Sequence, residues 1–314
     1  MKKALIISAI AATVAAPAFA QSSVTIYGRL NLAVESQKVG TVTNKGVYDN
    51  ASRIGFKGVE DLGGGLKAGF QLESGLNAST GQASSTFWGR QSEVNLSGNF
   101  GMVRLGNFTS EAYFATADYI SMHNHDTGDS EDKLYAYPVG NSKKIAYRTP
   151  SMGGMTAELA VREASVGGGN RGYDLAANYD AGALHLGLGA DKVGSSKMVA
   201  VRGLYEMGAF TVGAYVQRDT DASGAGSRTN LRLSGMYTMG ATELHLNLGK
   251  AGKVGGLANS DASQLTVGVN QNLSKRTKVF AYYTKTDNKA NASYATGTPG
   301  ADLSALALGV RHNF

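Results

Sequence analysis

The sequence predicts an all-β protein, a 16-stranded antiparallel transmembrane β-barrel with a loop folded inward, and three observations predict it. Apolar and polar residues alternate with a two-residue period along most of the chain, as in strands with one apolar and one polar face. The stretches so marked are about ten residues long, which suits a tilted bilayer crossing. The chain carries 42 glycines, 4 prolines and no cysteine, so tight turns are many and a disulfide or thiolate metal site is excluded. Closure follows because an open sheet edge in lipid leaves backbone groups unpaired.

In chain order, residues 1–20 read as a signal peptide. Lys2 and Lys3 precede an apolar run from Ala4 to Val14, and Ala18-Phe19-Ala20 supplies a small-x-small cleavage site. The barrel domain is expected over 21–314. In Val24 to Glu35 the even positions (Val24, Ile26, Gly28, Leu30, Leu32, Val34) are apolar or glycine, and the odd ones hold Thr25, Arg29, Asn31 and Glu35. Ser52 to Val59 sets Ile54 and Phe56 against Arg53 and Lys57, and the stretch from Leu66 to Glu73 repeats the pattern. Thirteen more strands are expected near 90–97, 102–109, 143–149, 155–164, 171–180, 183–192, 197–206, 209–219, 228–238, 242–250, 263–273, 277–287 and 304–314. Short glycine-bearing turns alternate with longer polar connections such as Gln37–Asn50, as an up-and-down barrel requires. Strand 277–287 is ambiguous, since Val279-Ala281-Tyr283 and Phe280-Tyr282 are equally good outward sets. Tyr205, Phe210, Tyr237 and Phe314 sit near strand ends, where interface girdles form.

Ser110 to Asn141 breaks the rhythm. It holds Glu111, Asp118, Asp126, Asp129, Glu131 and Asp132 against Lys133 alone. A connection this long in a compact fold is functional or disordered, and folding into the lumen is the expected fate. Strand parity places Arg29, Arg53, Lys57, Lys67, Arg104, Lys144, Arg148, Arg162, Arg202, Arg232 and Arg311 on the lumen side. The acids there are Glu35, Glu73, Glu93, Glu158, Asp174 and Glu206. Arg and Lys rings favour anions in pores.

The chain resembles the general diffusion porins of the β-proteobacterial outer membrane. The segments that carry the resemblance are SSVTIYGRLNLAVES (22–36), SRIGFKGVEDLGGGLKAGFQLESG (52–75), EVNLSGNFGMVRLGNF (93–108), KIAYRTPSMGG (144–154), NLSKRTKVFAYYTK (272–285) and LGVRHNF (308–314). It implies passive diffusion of small ions and hydrophilic solutes through a homotrimer in the Gram-negative outer membrane, among lipid and lipopolysaccharide. It also implies an inward third loop and a C-terminal strand, ending in Phe314, read by the barrel-assembly machinery. The basic wall is expected from Arg29, Arg53, Lys57, Arg90, Arg104, Lys144 and Arg148. The resemblance singles out Arg53 and Arg90, although Arg90 has the wrong parity beside Val94 and Leu96 and needs a bulge or rim position. The acidic loop side is expected from Asp118, Asp126, Asp129, Glu131 and Asp132. Asn107 stands where relatives often have arginine after Leu-Gly.

No cofactor, nucleic acid or metal is expected. His123-Asn124-His125-Asp126 is a weak metal pattern, and a solvated loop is the better reading. No G-x-S-x-G, phosphate-loop or H-E-x-x-H motif occurs. The alternative, a barrel enzyme of protease or lipase type, lacks a visible Ser/His/Asp set.

Overall fold

The computed structural model describes residues 23–124, 127, 133–164 and 169–314. The leader expected at 1–20 lies outside the described residues. Among the described residues, eighteen strands form one antiparallel sheet. These are β1 Ser23–Val39, β2 Val42–Asp49, β3 Arg53–Gly63, β4 Leu66–Asn77, β5 Gln82–Ala83, β6 Gln91–Gly98, β7 Gly101–Phe108, β8 Ser142–Arg148 and β9 Met155–Arg162. The second half holds β10 Gly172–Ala181, β11 Leu184–Val193, β12 Ser196–Met207, β13 Phe210–Thr220, β14 Ser227–Met239, β15 Thr242–Ala251, β16 Ala262–Asn272, β17 Thr277–Asn288 and β18 Leu303–Asn313. β2 and β3 make one stave, interrupted at residues 50–52, and β5 is a two-residue strand within a connection, so the closed barrel has 16 staves. Closure is between β1 and β18, in register from Arg29↔Asn313 to Val39↔Leu303. No edge remains for lipid to meet.

Two connections differ from expectation. Gln37–Asn50 is no loop but the top of a hairpin, β1 running to Val39 and β2 starting at Val42. The two-residue turn Gly40-Thr41 is enough because Gly40 takes a φ of +57°. Gly194-Ser195 is equally short, so the two rims differ in length on average and not at every connection.

The outward positions form an apolar band, with Val24, Ile26, Val34, Val199, Val201, Leu244, Leu246, Leu306 and Leu308 all exposed. In water such a surface would aggregate; in hydrocarbon it is the favoured one. Strand β17 settles its own ambiguity: Phe280 and Tyr282 point inward and are buried, and Tyr283 points outward. The chain terminus is held by paired backbone bonds. Gly28 N–H donates to the Phe314 carbonyl at 3.0 Å, and Phe314 N–H donates to the Gly28 carbonyl at 3.1 Å.

Candidate functional site

The described part of the connection between β7 and β8 enters the lumen and lies along its wall. It begins with helix α1, Glu111–Ala115, and a 3-10 turn, Asp118–Ile120. Two aspartates opposite each other on β10 and β11 hold both of its ends. Asp174 accepts from the N–H groups of Glu111 (3.0 Å) and Ala112 (3.1 Å). Asp191 accepts from Ser110 Oγ (3.1 Å) and from Val139 N–H (3.4 Å). Carboxylates at the start of a helix satisfy N–H groups that have no partner within it.

Further along, Arg202 Nε donates to the Ala115 carbonyl at 2.9 Å while its guanidinium lies 3.6 Å from the Tyr119 ring centre. Gln217 brackets Ala136 through both its amide groups, and Arg228 Nη2 donates to the Leu134 carbonyl at 3.0 Å.

Apolar contact fastens the same segment. Ala112, Ala117, Ile120 and Tyr135 pack on Met198, Ala200, Leu204 and Tyr215 of β12 and β13. These wall positions point into the lumen and yet are apolar. Arg202 apart, strand β12 is therefore apolar on both faces from Met198 to Leu204, a sequence signal of where the loop lands. Glycines let the loop lie close. A Cβ at Gly187, Gly189, Gly213, Gly249 or Gly268 would come within 3.0 Å of loop atoms from Ala115, Ala112, Ile120, Leu134 and His123 respectively. No other residue admits so near an approach.

What the loop leaves open is a polar cavity of about 340 Å³. The wall side is bordered by Arg29, Arg53, Glu73 and Arg90, and the loop side by Tyr113, Phe114, Asp118, Ser121 and Asn124. Arg90 sits just before β6, which resolves its parity. Its Nε lies 2.6 Å from Glu73 Oε1, with Arg53 Nε at 3.8 Å from the same oxygen. Arg29 Nη1 donates to Asn124 Oδ1 at 2.8 Å.

A scan of family models matches residues 7–291 to the Gram-negative porin family. Outer membrane porin protein 32 of Delftia acidovorans is 32% identical, over the whole of both chains. The chain belongs to the Gram-negative porin family. Major outer membrane protein P.IB of Neisseria meningitidis serogroup B is 27% identical over the whole of both chains. The solved anion-selective porin from Comamonas acidovorans superposes with a TM-score of 0.82 at 26% identity, covering 94% of this chain and all of that one. Porins are channels, not enzymes, so this is an outer-membrane channel for passive diffusion of small hydrophilic solutes. The barrel-enzyme alternative has no support.

The expected basic wall of this porin divides into two groups of three, with Lys57 apart from both. Arg29, Arg53 and Arg90 border the open cavity. Arg104, Lys144 and Arg148 do not border it, because they lie beside α1 in ion pairs. Arg104 reaches Glu93 and Glu111 at 2.6 Å and Glu158 at 3.1 Å. Arg148 shares Glu111 (2.6 Å) and Glu158 (2.8 Å), and Lys144 lies 3.5 Å from Asp174. Lys57 is exposed and stands over the Tyr27 ring, away from that cavity. Of the loop acids, Asp118 borders the cavity. Asp126, Asp129, Glu131 and Asp132 lie outside the described residues, as does His125. The inward register also includes Asp180, Asp191, Asp219 and Glu243, against Arg228 and Lys278. Parity counting from sequence passed over these because they lie at strand ends or on strands without a clean polar face. No cluster of three or more metal-ligating side chains occurs among the described residues.

Proposed function

We propose that this porin prefers anions and that Arg29, Arg53 and Arg90 set the preference. One observation carries the reading: three guanidinium groups border the open cavity, against two carboxylates, Glu73 and Asp118. Several wall bases elsewhere, Arg104, Lys144, Arg148 and Arg228, are tied into ion pairs, so the excess at the cavity weighs most in the field an ion meets. The relative from Comamonas acidovorans, described as anion-selective, supports the same reading. Planar-bilayer recordings in asymmetric KCl test it. The reversal potential is expected to show chloride as the more permeant ion, and a cation-selective reversal overturns it.

The same proposal places the narrowest part of the passage between this arginine row and the loop from Tyr113 to Asn124. The carboxylates Asp126, Asp129, Glu131 and Asp132 are assigned to the loop side with Asp118. Arg104, Lys144, Arg148 and Lys57 form the remaining basic wall.

We further propose a homotrimer. Strands β6–β9 span 8, 8, 7 and 8 residues, whereas β10–β18 span 10 to 13. A low wall suits contact with protein better than a full crossing of lipid. Val24, Val59, Phe70 and Val94 line an apolar groove of about 240 Å³ on the outer surface beside it. A monomer in detergent by light scattering would count against three-fold assembly. Phosphorylated headgroups of lipopolysaccharide are assigned to the long-loop rim, where Lys143 and Arg171 line an outward groove. Phe314 is assigned as the assembly signal, and residues 1–20 as a leader whose removal starts the mature chain at Gln21.

A further inference from the structure

The His123-Asn124 pair, weak as a metal motif, has a definite place in the fold. The His123 side chain leaves the inward loop and fills a recess in the opposite wall, over Gly268 of β16. It is 1% exposed. A Cβ at Gly268 would lie 2.5 Å from His123 Nε2, so the recess exists only because that residue is glycine. The imidazole faces His245 of β15 with ring centres 4.7 Å apart, and Tyr282 and Phe280 of β17 meet it edge-on at 5.8 and 6.4 Å. The next residue turns sharply. Asn124 adopts a φ of +56°, and that turn aims its Oδ1 at Arg29, on the border of the open cavity.

We propose that His123 is a pH-sensitive positioning residue: its neutral imidazole seats the loop against the wall and holds Asn124 on Arg29, and protonation in acid releases both. The inference rests on the diffusion-channel reading above and adds a control to it.

Most of the described groups around this ring oppose a charge on it. Burial is the largest effect holding its pKa well below the ordinary histidine value, and His245 is the next. Lys278 of β17 and Arg311 of β18 push the same way, while Glu243 of β15 pushes back. Glu243 is engaged elsewhere, accepting from Asn270 Nδ2 at 2.8 Å and Asn272 Nδ2 at 2.7 Å, with His245 Nε2 3.3 Å away. Arg29 of β1 lies beyond Asn124, bonded to its Oδ1. The sign follows from linkage. A group that is neutral when seated and has an ordinary pKa when released favours the seat fully above pH ~6.5. Below that, the ratio of seated to released falls about tenfold per pH unit, until the seated ring itself takes a proton. Released, the segment occupies water-filled lumen instead of its recess, so the passage narrows intermittently.

Single-channel recordings between about pH 7 and pH 4 test this. In the wild-type channel the frequency of brief closures is expected to rise about tenfold per unit below pH ~6.5 before levelling. His123→Gln keeps a polar side chain of similar reach that does not titrate in this range. It is expected to conduct at pH 7 and to lose that rise. Gly268→Ala, with the histidine intact, blocks the recess and is expected to show at pH 7 the closures that the wild type shows in acid. A wild-type pH response retained in His123→Gln, or a quiet Gly268→Ala channel at pH 7, overturns the proposal. The second variant decides the matter if the first does not fold. Reversal potentials in the same recordings at pH 7 are independent of the closures, so a failed anion preference and a failed histidine seat are told apart.

Discussion

At the scale of single residues, the porin separates arginines enclosed in ion pairs from arginines that border the open cavity. Arg104 touches three carboxylates and stacks over Phe108. A buried charge so enclosed is costly to strand: removing one partner of a buried ion pair costs about 3–5 kcal/mol. Arg104→Ala is therefore expected to destabilise the folded barrel, read as a lower unfolding midpoint in detergent, with little change in ion preference among molecules that do fold. Arg53 is the opposite case, with a side chain 30% exposed and a single carboxylate 3.8 Å away. Arg53→Gln is expected to leave the unfolding midpoint nearly unchanged, as loss of an exposed pair is worth under about 1 kcal/mol. Its reversal potential should move toward zero, and an unshifted potential would remove Arg53 from the proposed site. The distinction was half legible in the sequence. Parity put both arginines on the lumen side, but which acids surround each depends on strands more than fifty residues apart, such as β7 and β9 around Arg104.

At the scale of elements, the inward loop is held by the Asp174–Asp191 pair at its ends, by the apolar face on β12 and β13, and by wall hydrogen bonds from Arg202, Gln217 and Arg228, with glycines letting it lie close. Ile120 is fully buried in the second of these. Ile120→Ala leaves a cavity, with a cost of about 2–5 kcal/mol for such truncations. Only the loop depends on this contact, so the expected outcome is a noisier open-channel current with the barrel's melting midpoint preserved. Equal loss of both would show that loop and wall unfold as one unit. Gly213→Val acts from the wall side of the same contact, since even a Cβ there lies 2.8 Å from Ile120 Cγ2, and it should reproduce the noise. The acidic break in periodicity announced a loop of special role. Its landing place was also written in β12, whose inward Met198, Ala200 and Leu204 look wrong for a strand facing water.

At the scale of the whole molecule, the ion preference proposed here is a property of the field and depends on salt. Screening lengths fall from about 10 Å at 0.1 M to about 3 Å at 1 M. The chloride-to-potassium permeability ratio should therefore decline toward unity as salt is raised through that range. A ratio independent of salt would point to selection by size or by direct contact instead. The low side of the barrel at β6–β9 and the higher side at β10–β18 belong to this scale too, and underlie the expectation of three-fold assembly.

The sequence alone determined the class of this protein, the sixteen staves, nearly every strand boundary, and the outer apolar band. Each of these follows from a local alternation that a side chain cannot escape once its neighbours are in a strand. The hairpin β1–β2 was passed over because an exposed, mostly polar ribbon above the membrane has no apolar face to show. Tertiary structure alone decided which bases are spent in ion pairs under the loop, which three border the open cavity, and why certain inward positions must be glycine. Those facts depend on the path of one irregular segment across the lumen, and that path is set by contacts between residues far apart in the chain.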